Sequence, residues 1–486
     1  MTDDLTARIA ALAGDAERSA TGPEAVAALT QVVERLQGPI RLAISGKVKA
    51  GKSTLLNAII GENLAPTDAG ECTRIVTWYR FSDRPYAKIF TVDGEPLETS
   101  YVRSERSLEV DLGDRDAEEI DHLEIGWPSS RLDDVVLIDT PGIASISSEV
   151  SARTHRVLSA ELGRVPVADA VLYLLRHTHS ADLRFLESFH DDEVAEGTPV
   201  NTVGVLSRAD EIGCARLDAM EVAERVARRY RADPRLHRLC PVVVPVNGLL
   251  GHAAATLREE EYAALAAVAR APGEVIGELL LTADRFATGE SSLVPADQRV
   301  GLLDRLGLFG VRLSVELVRT GAVATSSELS ARLAEVSGLG RLREVVLRQF
   351  DTRARVLKAR SAVAALHEIF LRGDCADGVA LSRRLEQITA GAHEFEEVRI
   401  LLGLRGGEIS LAPDREAELD LLMGGSGHEP SSRLGLAEDA SPEEVRRVAL
   451  AALGRWQAVE RHPLSSRATQ IAARAATRTI EGLLAG

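Results

Sequence analysis

The sequence predicts an α/β domain with a doubly wound, mostly parallel sheet, followed by an elongated all-α helical bundle. Short apolar segments rich in Val, Ile and Leu recur between residues 40 and 247, and glycine or polar residues follow them. Buried parallel strands have this pattern, and their carboxyl ends form the ligand-binding edge of such a sheet. Before residue 38 and beyond residue 250, apolar residues recur at helical spacing instead.

The loop after the first strand has the spacing of a phosphate-binding loop. The apolar run at 40–44 precedes G-x-x-x-x-G-K-S, and a helical segment to about Ile60 follows it. Backbone N–H groups of such a loop bind phosphate oxygens, Lys52 would neutralise their charge, and the Ser53 hydroxyl would bind Mg²⁺. We therefore expect nucleotide contacts from Gly46, Lys47, Val48, Lys49, Ala50, Gly51, Lys52, Ser53 and Thr54.

Lysine is concentrated in this loop. The chain has five lysines among its 57 lysines and arginines, at positions 47, 49, 52, 88 and 358. A compact ammonium group is not interchangeable with a planar guanidinium. Elsewhere arginine supplies nearly all of the positive charge, so the loop specifically uses the ammonium group of lysine.

A candidate first switch follows the phosphate-binding helix. Thr73 lies 21 residues after Lys52, where a regulatory GTPase places a threonine that contacts Mg²⁺ and lays its carbonyl near the attacking water. We choose Thr73 over Thr67 and Thr77. The alternative is an ordinary threonine of a turn or strand.

A candidate second switch has the sequence D-T-P-G at residues 139–142, after an apolar strand. Asp139 would hold Mg²⁺ through a water molecule, and the Gly142 N–H would contact the γ-phosphate. Ile143 follows, so the glutamine that orients water in Ras-like enzymes is absent. Another group must orient the water.

Two later strand ends predict a guanine site. Ser207-Arg208-Ala-Asp210 is similar to the motif [NT]-K-x-D, and a carboxylate at Asp210 can accept two hydrogen bonds that guanine donates and adenine does not. Asn247 and Gly248 end the next strand and would line the base. The alternatives are a helix-capping aspartate and, because Arg208 replaces lysine, an ATPase.

The remaining chain is predicted as helices. We expect one or two helices at 5–37, a run at 342–371, and further helices at 380–402, 414–423, 441–460 and 465–484. The run at 342–371 would extend roughly 45 Å and indicates a stalk. Helical segments are therefore expected on both sides of the α/β domain, at 1–37 and at 346–486.

Composition limits the partners. A net charge of −16 argues against nucleic acid as a partner and against general attraction to an anionic membrane. The four cysteines are scattered without C-x-x-C pairs, which favours free thiols. No long uncharged apolar run and no signal peptide are present, so we expect a cytoplasmic protein that does not span a bilayer.

Taken together, the motifs resemble those of the bacterial dynamin-like GTPases, in particular the isoniazid-inducible group of mycobacteria and their relatives. The matching segments are G-K-x-K-A-G-K-S, P-T-D-A-x-x-x-T-R-I-V-T, D-T-P-G and S-R-A-D, with a helix before the first strand and a long helical C-terminal half. The resemblance covers nearly the whole chain. It is most specific over residues 40–350.

The resemblance implies a GTPase domain, or head (38–345), that hydrolyses GTP to GDP with Mg²⁺. It also implies N-terminal helices of a neck bundle (1–37), and a helical neck and trunk (346–486) whose tip, near 400–435, touches lipid. It further implies that heads pair across the nucleotide face, that pairing stimulates hydrolysis, and that the cycle remodels membranes. Protection of the cell envelope under antibiotic stress and peripheral contact with the inner face of the plasma membrane are the corresponding expectations. The alternative is a regulatory GTP-binding subunit that associates with a longer dynamin-like protein and touches little lipid.

Two positions depart from the family pattern. Arg208 replaces a lysine that packs along the base, and Lys49 lies where relatives have a serine that helps to hold a cation or an arginine that acts in cis. We hypothesise that Lys49 supplies transition-state charge; the alternative is a solvated lysine.

The sequence offers one weak candidate for a lipid-binding tip, formed by Leu419, Leu421, Leu422 and Met423 before a glycine turn. The alternative is an ordinary helix end in the core. For the basic residues between 446 and 478 we favour pairing with acidic neighbours over contact with lipid headgroups.

Overall fold

The computed structural model describes most of the chain: residues 5–47, 49–66, 75–91, 96–104, 107–117, 119–141, 168–176, 202–233, 236, 240, 242–290, 293–346, 352–406, 409–425, 429–437, 439–463 and 465–485. The expected positions Val48, Thr67, Thr73, Gly142 and Ile143 lie outside these ranges.

Eleven strands are described: β1 (Ile40–Gly46), β2 (Val76–Phe81), β3 (Tyr86–Thr91), β4 (Leu97–Thr99), β5 (Tyr101–Arg103), β6 (Leu108–Val110), β7 (Ile120–Trp127), β8 (Val135–Asp139), β9 (Ala170–Leu175), β10 (Thr202–Ser207) and β11 (Val242–Val246). Nine form one sheet in the order β11-β10-β9-β1-β8-β2-β7-β3-β4. The five strands from β11 to β8 are parallel. Their carboxyl ends therefore meet at one edge, as the sequence predicts.

Twelve helices are described in the first part of the chain: α1 (Leu5–Glu17), α2 (Pro23–Gln37), α3 (Lys52–Ile60), α4 (Ala209–Ile212), α5 (Ala219–Ala232), α6 (Gly248–Ala255), α7 (Glu259–Ala269), α8 (Gly273–Leu279), α9 (Ala283–Thr288), α10 (Ala296–Arg319), α11 (Ser326–Val336) and α12 (Leu339–Val346). Alternate residues of β9 show the two layers. Leu172 and Leu174 face the core shared with α3, whereas Tyr173 and Leu175 face the core shared with α5. The sheet is therefore covered on both faces.

A separate apolar core lies within the helices that follow β11. It joins α6, α7, α10 and α11 around the fully buried Phe286 and Phe309. Helix α10 is interrupted at Gly307, whose φ of 65° and ψ of 171° are not helical. Gly307 thus divides α10 into two halves.

The N-terminal helices pack against helices from the C-terminal part of the chain. Proline at the first position of α2 and Gly38 after its end agree with the expected boundaries. Helices α1 and α2 share a core with α13 (Thr352–Arg372) and α14 (Gly378–Gly391), including Ile9, Leu12, Leu29 and Leu366. Apolar residues spaced three or four apart on all four helices explain this packing.

The C-terminal helices form another core. They are α15 (His393–Gly406), α16 (Pro413–Leu422), α17 (Pro430–Arg433), α18 (Pro442–Arg461) and α19 (Arg467–Ala485), with Trp456 fully buried among them. Within the described residues, no helix is long and apolar enough to cross a membrane.

Two sequence expectations for this region are wrong. The helix expected at 380–402 is two helices, because Ala392 between α14 and α15 is extended, with φ −85° and ψ 109°. The candidate lipid-binding tip is not a surface, since Leu419, Leu422 and Met423 are at most 1% exposed in the C-terminal core. Whether residues 342–371 form one continuous helix stays a prediction, since residues 347–351 are outside the described ranges.

The expectation for the C-terminal arginines agrees with the structure where ion pairs are described. Arg474 lies 3.1 Å from Glu460, Arg447 lies 3.7 Å from Glu444, and Arg455 pairs with Glu418. These arginines offset acidic neighbours.

Candidate functional site

The phosphate-binding loop leaves β1 in close contact with β9. Gly46 has a φ of 152°, and a Cβ there would lie 3.0 Å from the Cβ and the carbonyl oxygen of Leu174. Only glycine fits this close approach of two backbones. The loop then ends at Gly51, which has a left-handed φ of 92° and directly precedes α3. The N-terminus of α3 consequently opens toward the carboxyl edge of the sheet.

Lys49 has an unusual backbone. Its φ is 62°, a left-handed value that costs energy in any residue with a Cβ. Its side chain is exposed. Ala50 beside it is buried and hydrogen-bonds through its N–H to the Lys47 carbonyl at 3.1 Å. The loop thus holds the Lys49 side chain outward above the start of α3.

Lys52 and Asp139, which are both half-buried, form the electrostatic centre of the site. The Lys52 ammonium donates to the carbonyls of Gly46 at 3.3 Å and Lys47 at 3.4 Å. Burial lowers its pKa, and the nearby Asp139 opposes this shift. Burial raises the pKa of Asp139 to about 6, although Lys52 and a hydrogen bond from Ser53 act in the opposite direction. The Oδ1 atom of Asp139 is buried and has no hydrogen-bond partner among the described residues.

A cavity of about 180 Å³ joins α3 to the later strand ends. Its walls include Gly51 and Thr54 on one side, Ser207 and Asp210 on another, and Asn247 on a third. Ala50, Arg208 and Gly248 line it as well. The structure therefore brings the predicted phosphate and base residues together, although they are up to 198 positions apart in the chain.

The turn after β10 presents Arg208 and Asp210 to this cavity. Ser207 is buried and donates its hydroxyl to the Leu175 carbonyl at 3.3 Å. Arg208 has a left-handed φ of 50° and immediately precedes α4. Burial raises the pKa of Asp210. A desolvated carboxylate gains more from hydrogen-bond donors than a solvated one does.

Asn247 ends β11 and caps α6. Its Oδ1 accepts the Leu250 N–H at 3.0 Å, and its buried Nδ2 has no hydrogen-bond partner among the described residues. A Cβ at Gly248 would lie 3.4 Å from the Leu55 Cα, so α6 packs closely on α3. The side-chain amide of Asn247 is therefore held at the cavity wall, and its Nδ2 group can donate a hydrogen bond to a ligand.

Several residues at this site are not predicted from the sequence, among them Glu211, Leu249 and Gly307. Leu249 lines the cavity, and a Cβ at Gly307 would lie 3.9 Å from the Asp210 Oδ2 atom. The isolated glycine within a helical pattern was the available signal for Gly307. Nothing in the sequence indicates that it approaches Asp210.

The switch residues are partly described. Thr77, a rejected alternative to Thr73, is buried on β2 opposite Asp139 and donates to the Ile75 carbonyl at 3.4 Å. Thr73 and Gly142 lie outside the described residues. Their assignment stays a prediction.

A doubly wound sheet with a G-x-x-x-x-G-K-S loop, D-x-x-G and S-R-A-D at its carboxyl edge defines a nucleotide-binding domain of the GTPase type. The model of the dynamin family matches residues 42–208. Isoniazid-induced protein IniC of Mycobacterium tuberculosis is 38% identical over 458 residues, which are 94% of this chain and 92% of that protein. The chain belongs to the dynamin family and carries its GTPase domain.

Other relatives match shorter parts. A bacterial dynamin-like protein of Nostoc punctiforme is 26% identical over 209 residues, 40% of this chain and 28% of its own. Isoniazid-induced protein IniA of M. tuberculosis is 32% identical over 154 residues, 30% of this chain and 22% of its own. A chain from the structure of an oligomerised bacterial dynamin pair aligns with 99% of this chain and 78% of its own, at 13% identity and a TM-score of 0.32.

Proposed function

We propose that this chain binds GTP and hydrolyses it to GDP and phosphate. The observation that carries the proposal is the cavity that joins the start of α3 to Asp210 and Asn247. One end of the cavity is formed by Gly51 and Thr54 at the N-terminus of α3, and the other end offers the desolvated carboxylate of Asp210 and the Nδ2 donor of Asn247. Guanine has N–H groups for the carboxylate and a carbonyl for the amide.

The phosphate end suits Mg²⁺. Ser53 and Asp139 are hydrogen-bonded to each other, and the second carboxylate oxygen is buried without a partner. Hydroxyl and carboxylate oxygens are the ligands that Mg²⁺ prefers. When bound, Mg²⁺ would neutralise charge that develops on the phosphate oxygens. We propose Ser53 as a direct ligand, Asp139 as a ligand through water, and Thr73 as the ligand from the first switch.

We further propose that Lys49 supplies transition-state charge, because its strained backbone directs an exposed ammonium away from the protein at the phosphate loop. A cis cation of this kind can contribute about 10³-fold to the rate. Lys49→Ala should therefore lower kcat by about that factor while GTP affinity changes little. Lys88→Ala, which removes a half-buried lysine on β3 that lies 3.8 Å from Glu98, is the control; an unchanged kcat in Lys49→Ala would contradict this role.

Guanine selection can be tested at Asp210. Asp210→Asn replaces an acceptor with a side chain that can present donors, so GTP affinity should fall by about 10²-fold or more and xanthosine triphosphate affinity should rise. Binding of fluorescent analogues measures both. Equal affinity for ATP and GTP in the wild-type protein would contradict guanine selection.

The dynamin-family relatives motivate the rest of the proposal: heads pair across the nucleotide face, and the GTP cycle remodels a membrane at its inner surface or protects the envelope under antibiotic stress. The core shared by α1, α2, α13 and α14 supports a neck built from both sides of the GTPase domain. We propose that the head spans residues 38–345 and that its helical extensions span residues 1–37 and 346–486.

A second candidate function is a regulatory GTP-binding partner of a longer dynamin-like protein, with little lipid contact of its own. The burial of Leu419, Leu422 and Met423 favours it, since the candidate tip is part of the core. IniA, in which a 154-residue segment is 32% identical to this chain, supports the proposal of a second, related chain. Co-sedimentation with vesicles separates the two: GTP-dependent binding supports membrane remodelling, and its absence supports the partner role.

A further inference from the structure

Glu211 binds two arginines beside the base pocket. Its Oε1 accepts a hydrogen bond from the Arg208 Nη1 at 2.8 Å. Its Oε2 accepts from the Arg176 Nη2 at 2.7 Å and from the Arg176 Nε at 3.1 Å. Arg176 directly follows β9 and Arg208 directly follows β10. One carboxylate thus connects the ends of two neighbouring strands at the ligand-binding edge.

The backbone fixes where Arg208 begins. Its left-handed conformation is unfavourable for a residue with a Cβ. The Glu211 N–H donates to the Arg208 carbonyl at 3.0 Å, and Ala209 between them is fully buried. The turn is therefore anchored, and both Arg208 and Glu211 line the cavity. Within this turn, only the long Arg208 side chain can still adopt several rotamers.

Glu211 removes that freedom. Burial alone would raise its pKa, but hydrogen bonds and charge from Arg208 and Arg176 hold the pKa below its usual range. The carboxylate stays ionised at neutral pH. An exposed ion pair contributes little to stability, but it can restrict a side chain that would otherwise sample many rotamers.

We propose that Glu211 is a positioning residue for nucleotide binding: it holds the Arg208 guanidinium across the face of the base, and Arg176 fixes Glu211 in turn. The inference rests on the proposed function, namely guanine-nucleotide binding in this cavity. A guanidinium stacks on an aromatic ring through its flat face. Holding it in place beforehand lowers the entropy lost when the base binds. Arginine at position 208 thus works together with a carboxylate three residues later.

A double-mutant cycle tests this inference. Dissociation constants for fluorescent GTP and GDP would be measured for the wild type, Glu211→Gln, Arg208→Ala and the double variant. Glu211→Gln should weaken both nucleotides by the same factor, about three- to tenfold. In the Arg208→Ala background the same change should have no further effect, because Glu211 acts through Arg208. Arg176→Ala should reproduce part of the loss in the wild-type background.

The chain offers a matched control. Glu316 pairs with Arg319 three residues away on α10, and its side chain is 37% exposed, as is that of Glu211. Glu316→Gln should leave nucleotide affinity unchanged while shifting the thermal unfolding midpoint as much as Glu211→Gln does. Inosine triphosphate should lose the same factor as GTP in Glu211→Gln, because the face of the base and not its edge is affected.

Three outcomes would overturn the inference: unchanged affinity in Glu211→Gln, additive losses in the double variant, or a loss for GTP that inosine triphosphate does not share. Failure of the proposed function has a different signature. In that case the wild-type protein itself would not bind GTP.

Discussion

At the scale of single residues, the protein alone stabilises the charged form of the Asp139 carboxyl group less than water does. The Oδ1 atom of Asp139 is buried without a hydrogen-bond partner among the described residues, and desolvation raises the pKa of this carboxyl group to about 6. The unfolded carboxyl group has a pKa of 3.8. Between these values the folded protein binds more protons, so rising pH lowers its stability, and above pH 6 the full cost remains.

Asp139→Asn should therefore raise the unfolding free energy of the nucleotide-free protein at pH 7.5 by about 1–3 kcal/mol. It should also abolish the stabilisation that Mg²⁺ and GTP give the wild type. Thermal unfolding with and without ligand measures both effects. Asp134→Asn, at an exposed residue before the same strand, is the control. A destabilised Asp139→Asn protein that still responds to Mg²⁺ and GTP would contradict the role of Asp139.

At the scale of elements, the start of α12 depends on one glycine. Gly338 has a φ of 77°, and a Cβ there would lie 2.3 Å from the Pro245 carbonyl oxygen in β11. The Asn247 N–H donates to the Ser337 carbonyl at 2.9 Å, so this contact also positions the base pocket. The left-handed backbone and the close approach to Pro245 explain why residue 338 is glycine.

Gly338→Ala should cost about 2–4 kcal/mol of stability and weaken GTP binding, since α12 and β11 must separate. Gly340→Ala, two residues later in the helix with nothing near its Cβ, should be neutral or stabilise by about 0.5–1 kcal/mol. Denaturant unfolding compares them. Equal effects would show that the close approach to Pro245 is unimportant.

The C-terminal helices contain a buried ion pair that joins three elements. The Glu397 carboxylate accepts from Arg433 at 2.6 and 3.0 Å and from the Thr479 hydroxyl at 2.7 Å. Burial would raise the pKa of Glu397, but Arg433 and Thr479 hold it below its usual range. This group therefore contributes stability above the unfolded pKa, and the contribution is lost as pH falls through the folded pKa.

Glu397→Gln should destabilise the C-terminal helices by about 3–5 kcal/mol at pH 7, because Arg433 loses its buried counter-ion. The difference from the wild type should shrink below pH 4.5, where the wild-type carboxyl group begins to lose its charge on unfolding. Hydrogen exchange of α15 and α19 measures it locally. Glu396→Gln, which is more exposed, serves as a control, and a pH-independent difference would contradict the ion-pair explanation.

At the scale of the whole molecule, a buried junction links the head to the helices that pack with the N-terminus. Asp169, directly before β9, accepts hydrogen bonds from Arg35 of α2 at 3.1 Å and from the Arg41 N–H at 2.9 Å. Lys358 of α13 donates to the Gly38 carbonyl at 2.6 Å. Helix α2 thus contacts the residue directly before β9, and α13 contacts a residue shortly before β1.

The sequence predicts those parts of this arrangement that depend on local signals. The strand, loop and helix around Lys52 are recognisable because glycine, lysine and apolar residues alternate at fixed spacing. The approach of Gly307 to Asp210 and the contact of Arg176 with Glu211 depend on tertiary packing, which single-sequence periodicity does not contain. Leu419, Leu422 and Met423 show the same limit: apolar residues at a helix end can face a core or a lipid surface.

We propose that two copies of this chain pair through their GTPase heads and activate each other's GTP hydrolysis. The most direct measurement is the steady-state GTP hydrolysis rate per molecule as a function of protein concentration, with ATP as the comparison substrate and Lys52→Ala as the background. The account predicts a specific rate that rises with concentration for GTP alone. A flat rate at the Lys52→Ala level, despite tight GTP binding, would contradict it and would identify the chain as a GTP-binding subunit that acts through a partner.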